Sequence, residues 1–187
     1  VIRFIANIVA FEVGWSACIL GLAHGRPWLG PVVVACIAAM TLVTDRIPAR
    51  ETVAVLTVAA LGLLLDSILL AAGVLDVAHG PRIAGAPALF FPVFFAMWVN
   101  FALLLNVSLK WLHGRWALAA VLGGASAAPT YYFAQRLGAV ELAEPRWLAL
   151  TVVAIGYAFA VPGASWLARR LRDGATPASA PAGGHAP

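Results

Sequence analysis

Read for runs of apolar positions, the chain divides into six uninterrupted hydrophobic segments: Ile2 to Leu22, Trp28 to Thr44, Thr52 to Leu75, Ala86 to Leu109, Trp116 to Phe133 and Trp147 to Ala168. Each has the roughly 17 to 25 residues that a helix needs to cross about 30 Å of hydrocarbon. Each stops at charge, glycine or proline, as at His24-Gly25-Arg26-Pro27, His79-Gly80-Pro81-Arg82 and Glu144-Pro145-Arg146. The runs are too long for barrel strands and lack their alternation, which excludes strands. The pattern predicts an all-α fold, an integral membrane bundle of six transmembrane helices over residues 1–172, with short connections that make successive helices antiparallel. Residues 173–187 are rich in Ala, Pro and Gly, bury too little to fold, and read as a disordered cytoplasmic tail. A cleaved signal peptide is the alternative for the first run, because Arg3 stands at its start ahead of the apolar stretch and Gly21-Leu22-Ala23 is rich in small residues. Asn7, Glu12 and the length of the run speak against it.

Composition agrees with the pattern. The chain is 63% hydrophobic and 11% charged, where a soluble domain has about 45 to 50% and roughly 25%. A secreted disulfide scaffold, a disordered chain and a cytosolic enzyme are excluded. Cys18 and Cys36 both fall within spans and read as small buried apolar residues. Charge adds orientation. Arg3, Arg46, Arg50, Lys110, Arg115, Arg169, Arg170 and Arg172 fall on one side of the bundle, and Arg26, Arg82, Arg136 and Arg146 on the other. The richer side is the cytoplasmic one, which puts both termini in the cytoplasm. The excess of Arg over Lys, with abundant Ala, suggests a GC-rich bacterial genome and hence the bacterial cytoplasmic (inner) membrane. The net charge of +4 then reports insertion bias and contact with membrane lipids, since no basic cluster is large enough for nucleic acid. Trp28, Trp111, Trp116 and Trp147 sit at span ends, where amphipathic rings favour the interface, whereas Trp15 and Trp98 lie deeper and should pack inside.

Two charged side chains fall well within a span, Glu12 in the first and Asp66 in the third. An acid at the bilayer centre costs about 3 kcal/mol on an insertion scale, so each should face the bundle interior or find a donor. Helical phase puts Asn7, Phe11, Gly14, Cys18 and Gly21 on one face of the first helix and Glu12 on another, which predicts a central first helix. Ala59, Gly62, Asp66 and Gly73 form a stripe that should let another backbone approach the carboxyl. Asn100, Asn106 and Ser108 add polarity to the fourth helix, and Pro129 and Pro162 should kink the fifth and sixth. Together Asp66, Glu12, Asn100, Arg136 and Tyr131 form a candidate polar pocket open to the outer half of the membrane. Against it stand two simpler accounts, in which the polar groups only join helices or Asp66 pairs with Arg136 to fix packing.

Catalytic patterns fail on inspection. Gly124-Ala125-Ser126-Ala127 resembles the serine motif of an intramembrane protease, but no span carries a His to act as base. His24, His79, His113 and His185 lack ligand spacing, so no metal is expected, and no cofactor motif is present. An inverted repeat of three plus three helices finds little support between the halves.

The residues do resemble a family. Asn7 with Phe11, Gly14 and Trp15, Gly62-Leu63-Leu64-Leu65-Asp66 with Gly73, Trp98 to Phe101 with Asn106, Ser108, Leu109 and Trp111, and Leu122-Gly123-Gly124 with Pro129, Tyr131 and Arg136-Leu137-Gly138-Ala139 are similar to the domain-of-unknown-function 2878 family. That family comprises bacterial multi-pass inner-membrane proteins. The resemblance runs from about Asn7 to Val140 and extends toward the sixth helix. It implies a membrane bundle and assigns no activity, cofactor or substrate. Where the family pattern has Gln this chain has Glu12, and Ala128 stands where it has Gly; Asp66 matches directly.

Three readings follow. The first is binding or transport of a lipid-like or small amphipathic molecule in the polar pocket. The second is a membrane-embedded enzyme or enzyme subunit acting on lipids or isoprenoids, which would need Arg136 with Tyr131 or Tyr132 as its second group. The third is a structural or assembly subunit, with a membrane-protein partner or a second copy of the chain.

Overall fold

The computed structural model describes residues 2–45, 49–79, 82–83, 86–87 and 92–173. Six α-helices make up most of them: α1 (Ile2–Ala23), α2 (Leu29–Asp45), α3 (Ala49–Ala71), α4 (Pro92–Val107), α5 (Trp116–Arg136) and α6 (Arg146–Asp173), with a short 3-10 turn at Lys110–Leu112. α1, α3 and α6 contain stretches long and apolar enough to cross a membrane, Ile2–Ala23, Glu51–Ala71 and Arg146–Leu171. The apolar stretches of α2 and α4, Leu29–Thr41 and Pro92–Val107, are shorter. The fourth hydrophobic run is therefore not one helix: at 16 residues α4 spans about 24 Å, and Ala86 belongs to a strand. Residues 174–187, Arg46 and Gly80-Pro81 lie outside the described residues.

Strands, excluded on the sequence pattern, do occur at the helix ends. β1 (Leu75–Val77) pairs antiparallel with β4 (Val140–Leu142), and β2 (Arg82–Ile83) with β3 (Ala86–Pro87). In the first pair Leu75, Val77, Val140 and Leu142 are buried and Glu141 is exposed, the alternation of a strand with one covered face. Both strands follow helices that end in the same way. After α3 the amide of Val74 donates to the Leu69 carbonyl and Gly73 sits at φ 66°; after α5 the amide of Ala139 donates to the Ala134 carbonyl and Gly138 sits at φ 78°. This six-to-one bond closed by a left-handed glycine satisfies the last helical carbonyls and turns the chain into the strand.

Contacts between helix ends fix the alternation. Ser108 at the end of α4 donates to Asn7 and shares its proton with the Phe4 carbonyl near the start of α1, at 2.7 and 3.3 Å. Arg169 lies against Gly114, which joins the end of α6 to the start of α5. At the opposite end His79, after β1, lies beside Gly25 in the α1–α2 turn, and β1 meets β4. The helices thus run up and down, with Lys110, Arg115, Arg169 and Arg170 gathered at one end.

The interior is mainly apolar but encloses several polar side chains, and the outer faces of the helices are apolar as well. Asp66, Ser67, Asn100, Asn106, Ser108 and Ser165 are buried, whereas large apolar side chains such as Val9, Leu61, Ile68, Val121, Ile155 and Phe159 are exposed. Such a surface is stable against hydrocarbon and costly against water. α4 presents no exposed large apolar side chain and packs against α1, α2, α3 and α6. The centre is α4, not α1 as its two-faced pattern suggested. One face of α1 meets protein: Gly14 lies against Asn100, Cys18 against Gly30 of α2, and the Asn7 amide donates to the Leu103 carbonyl. The face with Glu12 does not.

Candidate functional site

The buried carboxyl of Asp66 gathers four helices. From α4, Trp98 Nε1 donates to Oδ2 at 2.7 Å. From α5 and α6, the hydroxyls of Tyr131 and Tyr157 reach Oδ1 at 2.8 and 3.0 Å. The two hydroxyls are also 3.0 Å apart, so two protons serve the three edges of a triangle. Each donor is aromatic, and the rings pack on one another: Trp98 stacks on Tyr157 with centroids 5.4 Å apart, and Tyr131 meets Tyr157 edge-on. Charge-assisted bonds of this kind are short and about twice as strong as neutral ones. Asp66 thus has the donors that a buried acid needs.

Glycines make the arrangement possible. Gly62, one turn before Asp66, lies under the Trp98 indole, where a Cβ would fall inside the ring's van der Waals envelope. The small-residue stripe of α3 thus admits a side chain and not a backbone, and Gly73 belongs to the turn beyond the helix. On α5, Gly123 lies against the Tyr157 carbonyl and Val161, and Gly124 against Ala154. This close approach of α5 and α6 brings the two tyrosines together. Both helices continue through Pro129 and Pro162. Around Pro129, Ser126 and Thr130 bond back to carbonyls of their own helix, those of Gly123 and Ser126.

Beside the cluster a groove of about 400 Å³ opens. α1 and α5 form its walls and α4 and α6 its floor; α1 packs on α2 and α4, α5 packs on α6, and the groove runs between them. Trp98, Tyr131 and Tyr157 each line it while binding Asp66 from behind. Glu12 and Asn100 line it as well. Asn100 is occupied, donating from Nδ2 to the Phe11 carbonyl at 2.8 Å. Glu12 is exposed and has no polar partner among the described residues.

A family model described as "Protein of unknown function (DUF2878)" matches residues 4–163. The chain belongs to the DUF2878 family. The match spans α1 to most of α6, so the whole Asp66 cluster and the groove fall within the DUF2878 region. No curated protein and no solved structure matches the chain.

Of the five residues singled out from the sequence, the fold brings Asp66, Glu12, Asn100 and Tyr131 to one place. Arg136 stands apart, exposed at the C-terminal end of α5. The pairing of Asp66 with Arg136 is therefore corrected: the acid is satisfied by Trp98, Tyr131 and Tyr157. Trp98 was expected inside the bundle but not as a partner of the acid, and Tyr157 was missed. Its signal was a tyrosine deep in the last apolar run rather than at an interface.

Proposed function

We propose that this protein is a six-span inner-membrane protein, with both termini cytoplasmic, that binds a lipid-like or small amphipathic molecule in the groove between α1 and α5. The observation that carries the reading is the groove itself. It combines aromatic and aliphatic walls with Glu12, Ser126 and Thr130, and it lies between helices whose outer faces suit hydrocarbon. A ligand would enter sideways from the membrane between α1 and α5. Asp66 serves here as a positioning residue: it holds the three aromatic side chains of the floor and does not face the ligand.

Up-and-down alternation of the helices, with basic residues gathered at one end, supports the six spans and the orientation. Residues 1–172 then form one membrane domain followed by a cytoplasmic tail. The enzymatic reading loses ground, because Arg136, its second group, stands outside the groove.

The test is a deletion strain profiled for lipids and small metabolites and rescued by variants. Ser126→Trp fills the groove from an exposed wall position and replaces none of the residues that bond Asp66. Wild type is expected to restore the profile and Ser126→Trp to leave it at the deletion level while accumulating normally. Full rescue by Ser126→Trp would sink the reading.

A further inference from the structure

We infer that the molecule held in this groove carries a cationic head, an ammonium on a hydrocarbon chain, and that Glu12 supplies its counter-charge. The inference rests on the groove reading above and adds the chemical class of the ligand. Glu12 is the sole charged side chain among those lining the groove. It lies halfway along the 22-residue α1, at a depth where a lone acid costs about 3 kcal/mol. Asp66 meets the same cost with three donors; Glu12 has none among the described residues. A resident acid without a protein partner is relieved by a partner that arrives with the ligand.

The rest of the lining suits the same head. Phe11, Trp15, Phe101 and Tyr157 are partly exposed around the groove, and aromatic faces attract ammonium groups through their quadrupoles. Met97, Leu104 and Val161 provide apolar surface for a chain. No Lys or Arg lines the groove, so a phosphate or carboxylate head would enter without a counter-charge and beside an acid. A head bearing both ammonium and phosphate satisfies Glu12 at one end and leaves the phosphate unpaired, which favours a simple ammonium.

Two photoreactive probes with the same diazirine-bearing tetradecyl chain test this, one with a trimethylammonium head and one with a maltoside head. They are applied to the purified full chain in lipid nanodiscs, and labelled peptides are mapped by mass spectrometry in wild type, Glu12→Gln and Ser126→Trp. The expected result is groove labelling by the ammonium probe that falls about tenfold or more in Glu12→Gln, with labelling by the maltoside probe unchanged. Loss of both labels in Ser126→Trp assigns them to the groove. Equal labelling of wild type and Glu12→Gln by the ammonium probe overturns the cationic head and leaves the groove standing. If neither probe labels the groove in wild type, the groove reading falls and this inference with it.

Discussion

Asp66 accepts from an indole and two phenols, and its replacement tests that chemistry at single-atom level. In Asp66→Asn one oxygen becomes an amide that donates. If the remaining oxygen keeps the two tyrosines, the amide faces Trp98 Nε1, donor against donor. Leaving a buried donor unpaired costs about 1 to 3 kcal/mol, so Asp66→Asn should insert but melt earlier in detergent, with a changed near-ultraviolet signal from Trp98. An unchanged melting profile would mean that the three bonds contribute nothing to stability. Gly62→Ala attacks the same bond from the other side: its methyl displaces the Trp98 ring. Overpacking of this kind costs about 1 to 3 kcal/mol, and a shift in tryptophan emission should accompany the loss. At this scale the sequence was informative where a residue contradicted its surroundings. Asp66 and Glu12 announced themselves as charges in apolar runs. Tyr157 carries no charge, and its bond to Asp66 spans 91 positions, a pairing that only the packing of α3 against α6 creates.

At the scale of elements, helix existence was legible and helix ends were less so. Hydropathy averages over a window, so the run from Thr52 to Leu75 absorbed the turn at Gly73 and the first residue of β1. The local signals were present: a glycine, then the alternation Leu75-Asp76-Val77, matched by Val140-Glu141-Leu142 after Gly138. The centre of the bundle was misplaced for a related reason. Periodicity shows which faces of a helix are polar, not which neighbour covers them, and the Glu12 face of α1 borders a groove. Gly73 offers an element-scale prediction, since its φ of 66° is a left-handed conformation and no atom lies within 4 Å of where a Cβ would stand. Gly73→Ala should therefore cost about 1 to 2 kcal/mol from the backbone alone. Gly73→Asn should cost less, because Asn tolerates that region. Equal melting temperatures for the two variants would show that the turn relaxes and that the left-handed cap is not what ends α3.

For the whole molecule, a mainly apolar interior pinned by a few buried polar contacts opens, beside the Asp66 cluster, into the groove between α1 and α5. Its floor is fixed from behind by Asp66, so the shape is set before any ligand enters, which lowers the ordering cost of binding. Native mass spectrometry of the full chain released from lipid nanodiscs tests that claim most directly. Wild type should carry a bound amphiphile that survives removal of bulk lipid, and Ser126→Trp, with the same thermal stability, should emerge without it. An identical set of bound molecules on both proteins would contradict the account.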